Sequence, residues 1–245
     1  MRNTVNIAGV EVDSITMSQA VDKLKLFINE DKAHAIYTPN AEIVMEAYKD
    51  EGLRSILNQA DMLIADGAGV VLASRILGLN LPEKVSGIDL VRNSFSMDIG
   101  RKTRYFFFGG KPGVAEAAAE NILASHPNIE IVGCRNGYFS KEEVPGIIEE
   151  INRAKPDILL VALGAPKQEK WIHENKDKLK AKVCIGVGGS LDVFAGKVKL
   201  APERMRKAGF EWLYRLYQEP WRYKRMLRLP KFMLLTVGIK LKLVK

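Results

Sequence analysis

Short apolar runs alternate with longer amphipathic stretches along most of this chain, and that alternation restricts the folds open to it. The runs are His34–Thr38, Met62–Asp66, Arg104–Phe108, Ile129–Gly133, Ile158–Leu163 and Val183–Gly188. They are rich in Ile, Val, Leu and Phe and show little polar–apolar alternation, which is how strands buried on both faces read. Between them, Ser18–Asn29, Ala41–Asn58, Ala68–Leu77, Gly87–Ile99, Val114–Ser125, Lys141–Arg153 and Lys167–Leu179 carry helical spacing. Strand, helix, strand at this interval predicts an α/β fold: a mainly parallel sheet with helices on both faces.

The pattern stops near Gly196. From Pro202 onward no strand candidate remains, and helical stretches are punctuated by Gly209, Pro220 and Pro230. The expectation is an α/β catalytic domain over 1–195 and a helical appendage over 196–245. Charge divides at the same place. The net charge is +8, but residues 196–245 hold 14 Lys and Arg against 3 Asp and Glu, a formal +11. The remaining 23 Lys and Arg face 26 Asp and Glu, leaving the body at −3. A basic tail on an acidic body suits a polyanionic partner, either anionic membrane or nucleic acid.

Hydrophobic content of 47% with 27% charged residues is ordinary for a globular protein and excludes disordered and fibrous classes. Cys134 and Cys184 sit in apolar strand-like runs and read as reduced, buried thiols. The segment Met1–Val12 has no apolar stretch of signal-peptide type, and no window approaches the roughly 20 apolar residues of a spanning helix. A cytoplasmic protein is expected.

In open parallel sheets, ligands bind beyond the carboxyl ends of the strands. Those ends carry Thr38-Pro39-Asn40, Ala65-Asp66-Gly67, Gly109-Gly110-Lys111, Asn136-Gly137-Tyr138, Gly164-Ala165-Pro166-Lys167-Gln168-Glu169 and Gly186-Val187-Gly188-Gly189-Ser190-Leu191-Asp192. Glycines just before helix starts let a phosphate approach free N–H groups and the positive dipole end, although such glycines also serve purely steric turns. Asp66 ends an apolar run; it suits a base that takes a proton from an attacking hydroxyl or a cap on the next helix. Thr38 and Asn40 end the neighbouring run and suit orienting a substrate, or, for Asn40, capping the helix over Ala41–Tyr48. Gln168 is either a donor to a sugar or phosphate or a routine residue of a first helical turn.

Several signatures are missing. Gly186 and Gly188 begin a G-x-G, but the next required glycine is Leu191, which disfavours a nicotinamide-dependent enzyme. There is no P-loop and no Asp-x-Asp, and His34, His126 and His173 are far apart. No metal or other cofactor is expected.

These runs together resemble the WecG/TagA/CpsF glycosyltransferases of glycosyltransferase family 26, closest to its TagA branch of wall teichoic acid synthesis. The resemblance rests on Thr38-Pro39-Asn40, Ala65-Asp66-Gly67, Pro82-Glu83-Lys84-Val85-Ser86-Gly87-Ile88-Asp89, Gly137-Tyr138-Phe139, Leu163 to Glu169, Gly186 to Gly189, Gly209-Phe210-Glu211-Trp212-Leu213 and Gln218-Glu219-Pro220-Trp221-Arg222. It implies transfer of N-acetylmannosamine from a UDP-sugar donor to N-acetylglucosamine on undecaprenyl diphosphate, with inversion, giving a β-1,4 disaccharide lipid. It further implies that Asp66 is the catalytic base, that Thr38 and Gln168 belong to the catalytic site, and that Arg215, Arg222 and Arg225 reach over the pocket toward diphosphate. Two positions depart from the family. Lys84 replaces the usual Arg, keeping the charge but losing the bidentate fork. Leu200 replaces a frequent Arg and receives no role.

On this reading Lys84, the appendage arginines and a helix N-terminus stabilise the UDP leaving group, while Asn40, Tyr138, Gly188, Gly189 and Asp192 complete the substrate-binding set. In the tail, Trp212, Tyr214, Tyr217, Trp221 and Tyr223 interleave with basic residues, and Phe232–Ile239 is an apolar run flanked by Lys240, Lys242 and Lys245. Such a segment suits a helix lying in the interface of an anionic membrane, which places the protein peripherally on the inner face of the cell membrane. It equally suits docking onto the body. A homo-oligomer is compatible with all of this. The rival reading is a nucleic-acid-binding protein that uses the basic aromatic tail on single strands; it leaves Asp66 and the glycine turns without a purpose.

Overall fold

The computed structural model describes residues 2–220, 223 and 227–244. Its centre is a six-stranded sheet built from β3 (His34–Tyr37), β4 (Met62–Leu63), β5 (Thr103–Gly109), β6 (Ile129–Arg135), β7 (Ile158–Ala162) and β8 (Val183–Gly186). The spatial order is β4-β3-β8-β7-β5-β6, and every neighbouring pair is parallel. An antiparallel hairpin, β1 (Thr4–Ile7) and β2 (Val10–Asp13), precedes it.

Because side chains alternate across a strand, one apolar run supplies two cores. Phe106, Phe108, Leu159, Val161 and Cys184 face one layer; Tyr105, Phe107, Ile158, Leu160 and Ile185 face the other. The first layer holds α2 (Ala41–Lys49), α3 (Glu51–Asn58), α4 (Ala68–Leu77), α7 (Val144–Ala154) and α8 (Lys167–Asn175). The second holds α1 (Met17–Ile28), α5 (Gly87–Ser94), α6 (Val114–Ser125) and the short α9 (Ser190–Phe194). The expected α/β architecture is therefore observed.

Three details differ from the sequence-based expectations. Ala41–Asn58 is two helices, because Asp50 leaves helical geometry (φ −115°, ψ 100°) and its carboxylate caps α3 by accepting from Leu53 N–H. Met62–Asp66 is a strand for two residues only, yet the chain keeps tracking β3, with Ile64 N–H donating to Tyr37 O and Asp66 N–H to Pro39 O. The hairpin was not expected. It is locked to the sheet by Asp13, which accepts from Leu63 N–H at 2.7 Å and pairs with Arg2 at 2.7 Å.

The C-terminal helices are α10 (Glu203–Lys207), α11 (Glu211–Gln218) and α12 (Arg228–Lys240). They span the carboxyl edge of the sheet. On the second-layer side, Arg206 pairs with Asp89 of α5 at 3.3 Å. On the first-layer side, α12 packs on α4 and α2, burying Phe232 and Thr236, while Arg228 bridges Glu42 and Glu46 at 3.1 and 3.0 Å. The outer face of α12, with Leu234, Val237 and Leu241, stays exposed. Among the described residues no helix is long and apolar enough to cross a membrane.

Gly109 tests how tightly the sheet edge is built. It has φ +132°, and a Cβ there would collide with the backbone of Ala162 on β7. Gly109→Ala is expected to cost about 3 kcal/mol in urea unfolding; a loss under about 0.5 kcal/mol would show that the edge tolerates a side chain.

Candidate active site

The carboxyl ends of β3, β4, β7 and β8 meet in one crevice, and their side chains hold it in shape. Thr38, just past β3, is buried, and its hydroxyl donates to Gly186 O at 3.0 Å. Its Cβ and methyl press on Gly87, where an added Cβ would lie 2.8 Å from Thr38 Cγ2. One residue thus ties β3 to β8 and seats the start of α5. Gln168, in the first turn of α8, is also buried. Its Oε1 accepts from Gly188 N–H at 3.0 Å and its Nε2 donates to Glu169 Oε1 at 2.9 Å. The amide therefore braces the glycine turn after β8, and Gly186 lies against it, a Cβ there falling 2.9 Å from Nε2. Burial pushes the Glu169 carboxyl upward, opposed by the hydrogen bond that the Gln168 side-chain amide donates to it.

Asp66 lies at the centre, half-buried at the end of the extended segment after β4. It does not cap α4: Gly67 (φ +92°) occupies that position, and no side chain bonds the first turn. Burial is the main force that raises its carboxyl to about 6, and the neighbouring Glu211 carboxylate raises it further. Arg215, Lys84 and the Gly87 N–H pull in the opposite direction. A carboxyl with a midpoint near neutrality can both accept a proton and release it.

The cations come from two sides. Lys84, in the segment before α5, pairs with Glu211 of α11 at 3.4 Å. Arg215, one turn along α11, places its Nη2 4.0 Å from the position of a Cβ on Gly189, and Asp192 Oδ2 stands 3.9 Å from the same point. Asp66, Lys84, Arg215, Gly189 and Asp192 are thereby gathered around one end of the crevice. Gly188 has φ +52° and open space where a side chain would be.

Other expected residues stand differently. Asn40 is the N-cap of α2, its Oδ1 accepting from Glu42 and Ile43 N–H, so its carbonyl oxygen is committed to the helix. Tyr138 follows β6 at the far side of the sheet and is exposed, with only its backbone fixed, by Asn136. Arg222 and Arg225 lie outside the described residues. Glu211 received no role from the sequence, yet it is the carboxylate that joins the appendage to the site. Its signal was its rarity, as one of three acidic residues in a tail with 14 basic ones.

The appendage also closes against the loop after Asp66. A Cβ on Gly69 would lie 2.8 Å from Leu229 Cδ1, and one on Gly209 would lie 2.9 Å from Ala68 Cβ. Next to this contact, an apolar groove runs between α11 and α12, lined by Trp212, Leu216, Leu227, Leu229, Pro230 and Met233.

A raised Asp66 midpoint has a stability consequence with a definite sign. The folded state resists ionising this carboxyl until about pH 6, whereas the unfolded chain ionises near the ordinary 3.8. A penalty therefore develops between about pH 4 and pH 6 and is fully present above that. Asp66→Asn is expected to raise Tm at pH 8, with the gain vanishing near about pH 4. A lower Tm than wild type at pH 8 would refute the electrostatic picture.

Comparison with known proteins gives the family. Residues 5–245 match the model of the glycosyl transferase WecG/TagA/CpsF family. Among similar proteins is the N-acetylglucosaminyldiphosphoundecaprenol N-acetyl-beta-D-mannosaminyltransferase of Bacillus subtilis strain 168, 36% identical over 232 residues, 94% of this chain and 90% of that protein. The protein of the same name from Staphylococcus aureus strain MRSA252 is 35% identical over 243 residues, covering 98% of this chain and 95% of its own length. A match this long, running through both the sheet and the appendage, means that the chain belongs to the WecG/TagA/CpsF family of glycosyl transferases.

Proposed function

We propose that this protein transfers N-acetylmannosamine from UDP-N-acetylmannosamine to the 4-hydroxyl of N-acetylglucosamine on undecaprenyl diphosphate. The observation that carries the reading is the setting of Asp66: a carboxyl raised to about 6 at a strand end, facing Lys84 and Arg215. The acceptor and transferred sugar follow the names of the relatives.

The reaction is a single displacement. The acceptor oxygen attacks the anomeric carbon and its proton passes to Asp66. The new C–O bond forms as the bond to the UDP phosphate breaks on the opposite face, so the anomeric centre inverts. Charge develops on the departing diphosphate, where Lys84, Arg215 and the Gly188–Gly189 turn stand to receive it. Thr38 and Gln168 act through the backbone: by holding Gly186 and Gly188 they fix the turn that faces the leaving group. Asp192, Asn40, Tyr138, Arg222 and Arg225 remain in the substrate-binding set. On this reading the exposed Tyr138, after β6, serves the far end of the donor.

The appendage serves the lipid acceptor. Its +11 charge attracts an anionic leaflet, and the exposed Leu234, Val237 and Leu241 face outward to meet it. The groove beside Leu229 is mostly apolar, with Tyr223 also in its lining, and adjoins the loop after Asp66, which suits the first isoprene units of a prenyl chain entering from the bilayer. On this reading the protein is peripheral to the inner face of the cell membrane.

The test is incubation of the protein with UDP-N-acetylmannosamine and lipid-linked N-acetylglucosamine carried in anionic vesicles. Disaccharide is read by mass and bound protein by sedimentation. Wild type is expected to sediment with the vesicles and form the product, whereas Asp66→Asn should lose at least about 100-fold in turnover while still binding UDP. Near-normal turnover by Asp66→Asn would remove Asp66 as the base, and failure of the wild type to make disaccharide from this substrate pair would remove the reading itself.

A further inference from the structure

Gln168 and Glu169 are consecutive residues in the first turn of α8, and both are buried, at 2% and 1% exposure. A carboxyl so far from water is costly unless its oxygens are occupied. Here only one is: Glu169 Oε1 accepts from Gln168 Nε2 at 2.9 Å, while Oε2 has no hydrogen-bond partner among the described residues. A half-satisfied buried carboxyl is a poor way to stabilise a core. The backbone does not need it, because Gln168 N–H already donates to Gly164 O at 3.0 Å and Glu169 O accepts from the Tyr37 hydroxyl at 3.3 Å.

We propose that Glu169 is a positioning residue of the transfer reaction: it holds the Gln168 side chain in the one orientation whose carbonyl oxygen can receive Gly188 N–H, and so fixes the glycine turn at the leaving group. This rests on the reading that the Gly188–Gly189 turn receives the diphosphate. A side-chain amide has an acceptor at one end and donors at the other. Gly188 N–H is a donor, so only Gln168 Oε1 can meet it, as it does at 3.0 Å. The flipped amide would set donor against donor. Glu169 Oε1 decides between the two orientations by accepting from Nε2. Gly188 itself, at φ +52° with open space where a side chain would be, brings no side-chain packing to the turn. Gly186 lies against the same amide, a Cβ there falling 2.9 Å from Nε2. Order thus passes from α8 through Glu169 and Gln168 to the turn. A core residue and a positioning residue differ in what their loss does: the first lowers stability, the second lowers turnover.

The experiment measures Tm, kcat and the KM for UDP-N-acetylmannosamine, with lipid-linked N-acetylglucosamine as acceptor, for wild type, Glu169→Met, Glu169→Leu, Glu169→Gln, Gln168→Met and the double variant Gln168→Met/Glu169→Met. Glu169→Met keeps the length of the side chain and removes the acceptor; it is expected to hold Tm within about 2 °C of wild type or raise it. Its kcat should fall at least about 10-fold with KM changed less than about 3-fold, because a displaced turn fails the transition state more than the bound donor. Glu169→Gln should keep at least about a third of wild-type kcat, since its Oε1 accepts the same N–H. The double variant should be no worse than Gln168→Met alone, because Glu169 acts through Gln168. Glu169→Leu repeats the reading in a second shape. A kcat within about 2-fold of wild type in both apolar variants, an equal loss in Glu169→Gln, or additive losses in the double variant would each overturn the proposal. So would a fall in Tm of more than about 5 °C, or loss of folding, in both apolar variants, which is the mark of a core residue. If wild type makes the disaccharide and the apolar variants match it, only the role of Glu169 falls. If wild type makes none, the reading of the reaction falls first.

Discussion

A carboxylate withdrawn from water at the carboxyl edge of a parallel sheet is unfavourable unless its surroundings compensate, and much of this molecule is arranged around that problem at Asp66. Burial raises the carboxyl to about 6; Lys84, Arg215 and the Gly87 N–H prevent it from rising further. These groups come from a loop, a helix start and the appendage, so the site exists only where the parts converge. A free carboxylate in water would be too weak a base at neutral pH, and a fully desolvated one would stay protonated. The intermediate setting is the useful one.

Two kinds of residue support it. Thr38 and Gln168 are buried braces: Thr38 donates to Gly186 O at the end of β8, and Gln168 accepts from Gly188 N–H in the turn after it while its Nε2 donates to Glu169. They belong to the rigid body and resemble the rest of its construction, such as Asp13 locking the hairpin to β4. The second kind is carried by α10–α12 and held by ion pairs: Arg206–Asp89, Lys84–Glu211 and Arg228 with Glu42 and Glu46. Partly exposed pairs such as Arg228 with Glu46 contribute little individually, so the appendage owes its seat also to Phe232, Leu229 and the close approach at Gly69. Some of the tail's basic residues are thus engaged with the body, Arg206 and Arg228 among them.

How much of this the sequence discloses depends on the range of the interaction. Helix α4 begins and ends, and α6 begins, where the sequence pattern does, because Gly67, Gly78 and Gly113 at those boundaries have positive φ. Strand interiors are legible from apolar runs, since each must fill both cores. The break at Asp50 was missed because an amphipathic pattern continues through it and only the Asp50 side chain marks the new start. The hairpin was missed because its turn uses Ala8-Gly9, with Ala8 at φ +51°, rather than a common turn pair. At the site, Asp66 and the glycine turn were legible from their strand-end positions. The pairing of Glu211 with Lys84 was not, because it joins residues 127 apart, and nothing local to Glu211 announces its partner. Asn40 shows the converse: a polar strand-end residue that the structure commits to capping a helix.

The central claim is that Asp66 is held near neutrality by burial and by its charged neighbours. The most direct measurement is a carbon-13 NMR titration of the Asp66 carboxyl in the intact protein, assigned by its disappearance in Asp66→Asn. A midpoint near 6 is predicted. A midpoint at the ordinary aspartate value of about 4 would contradict the account.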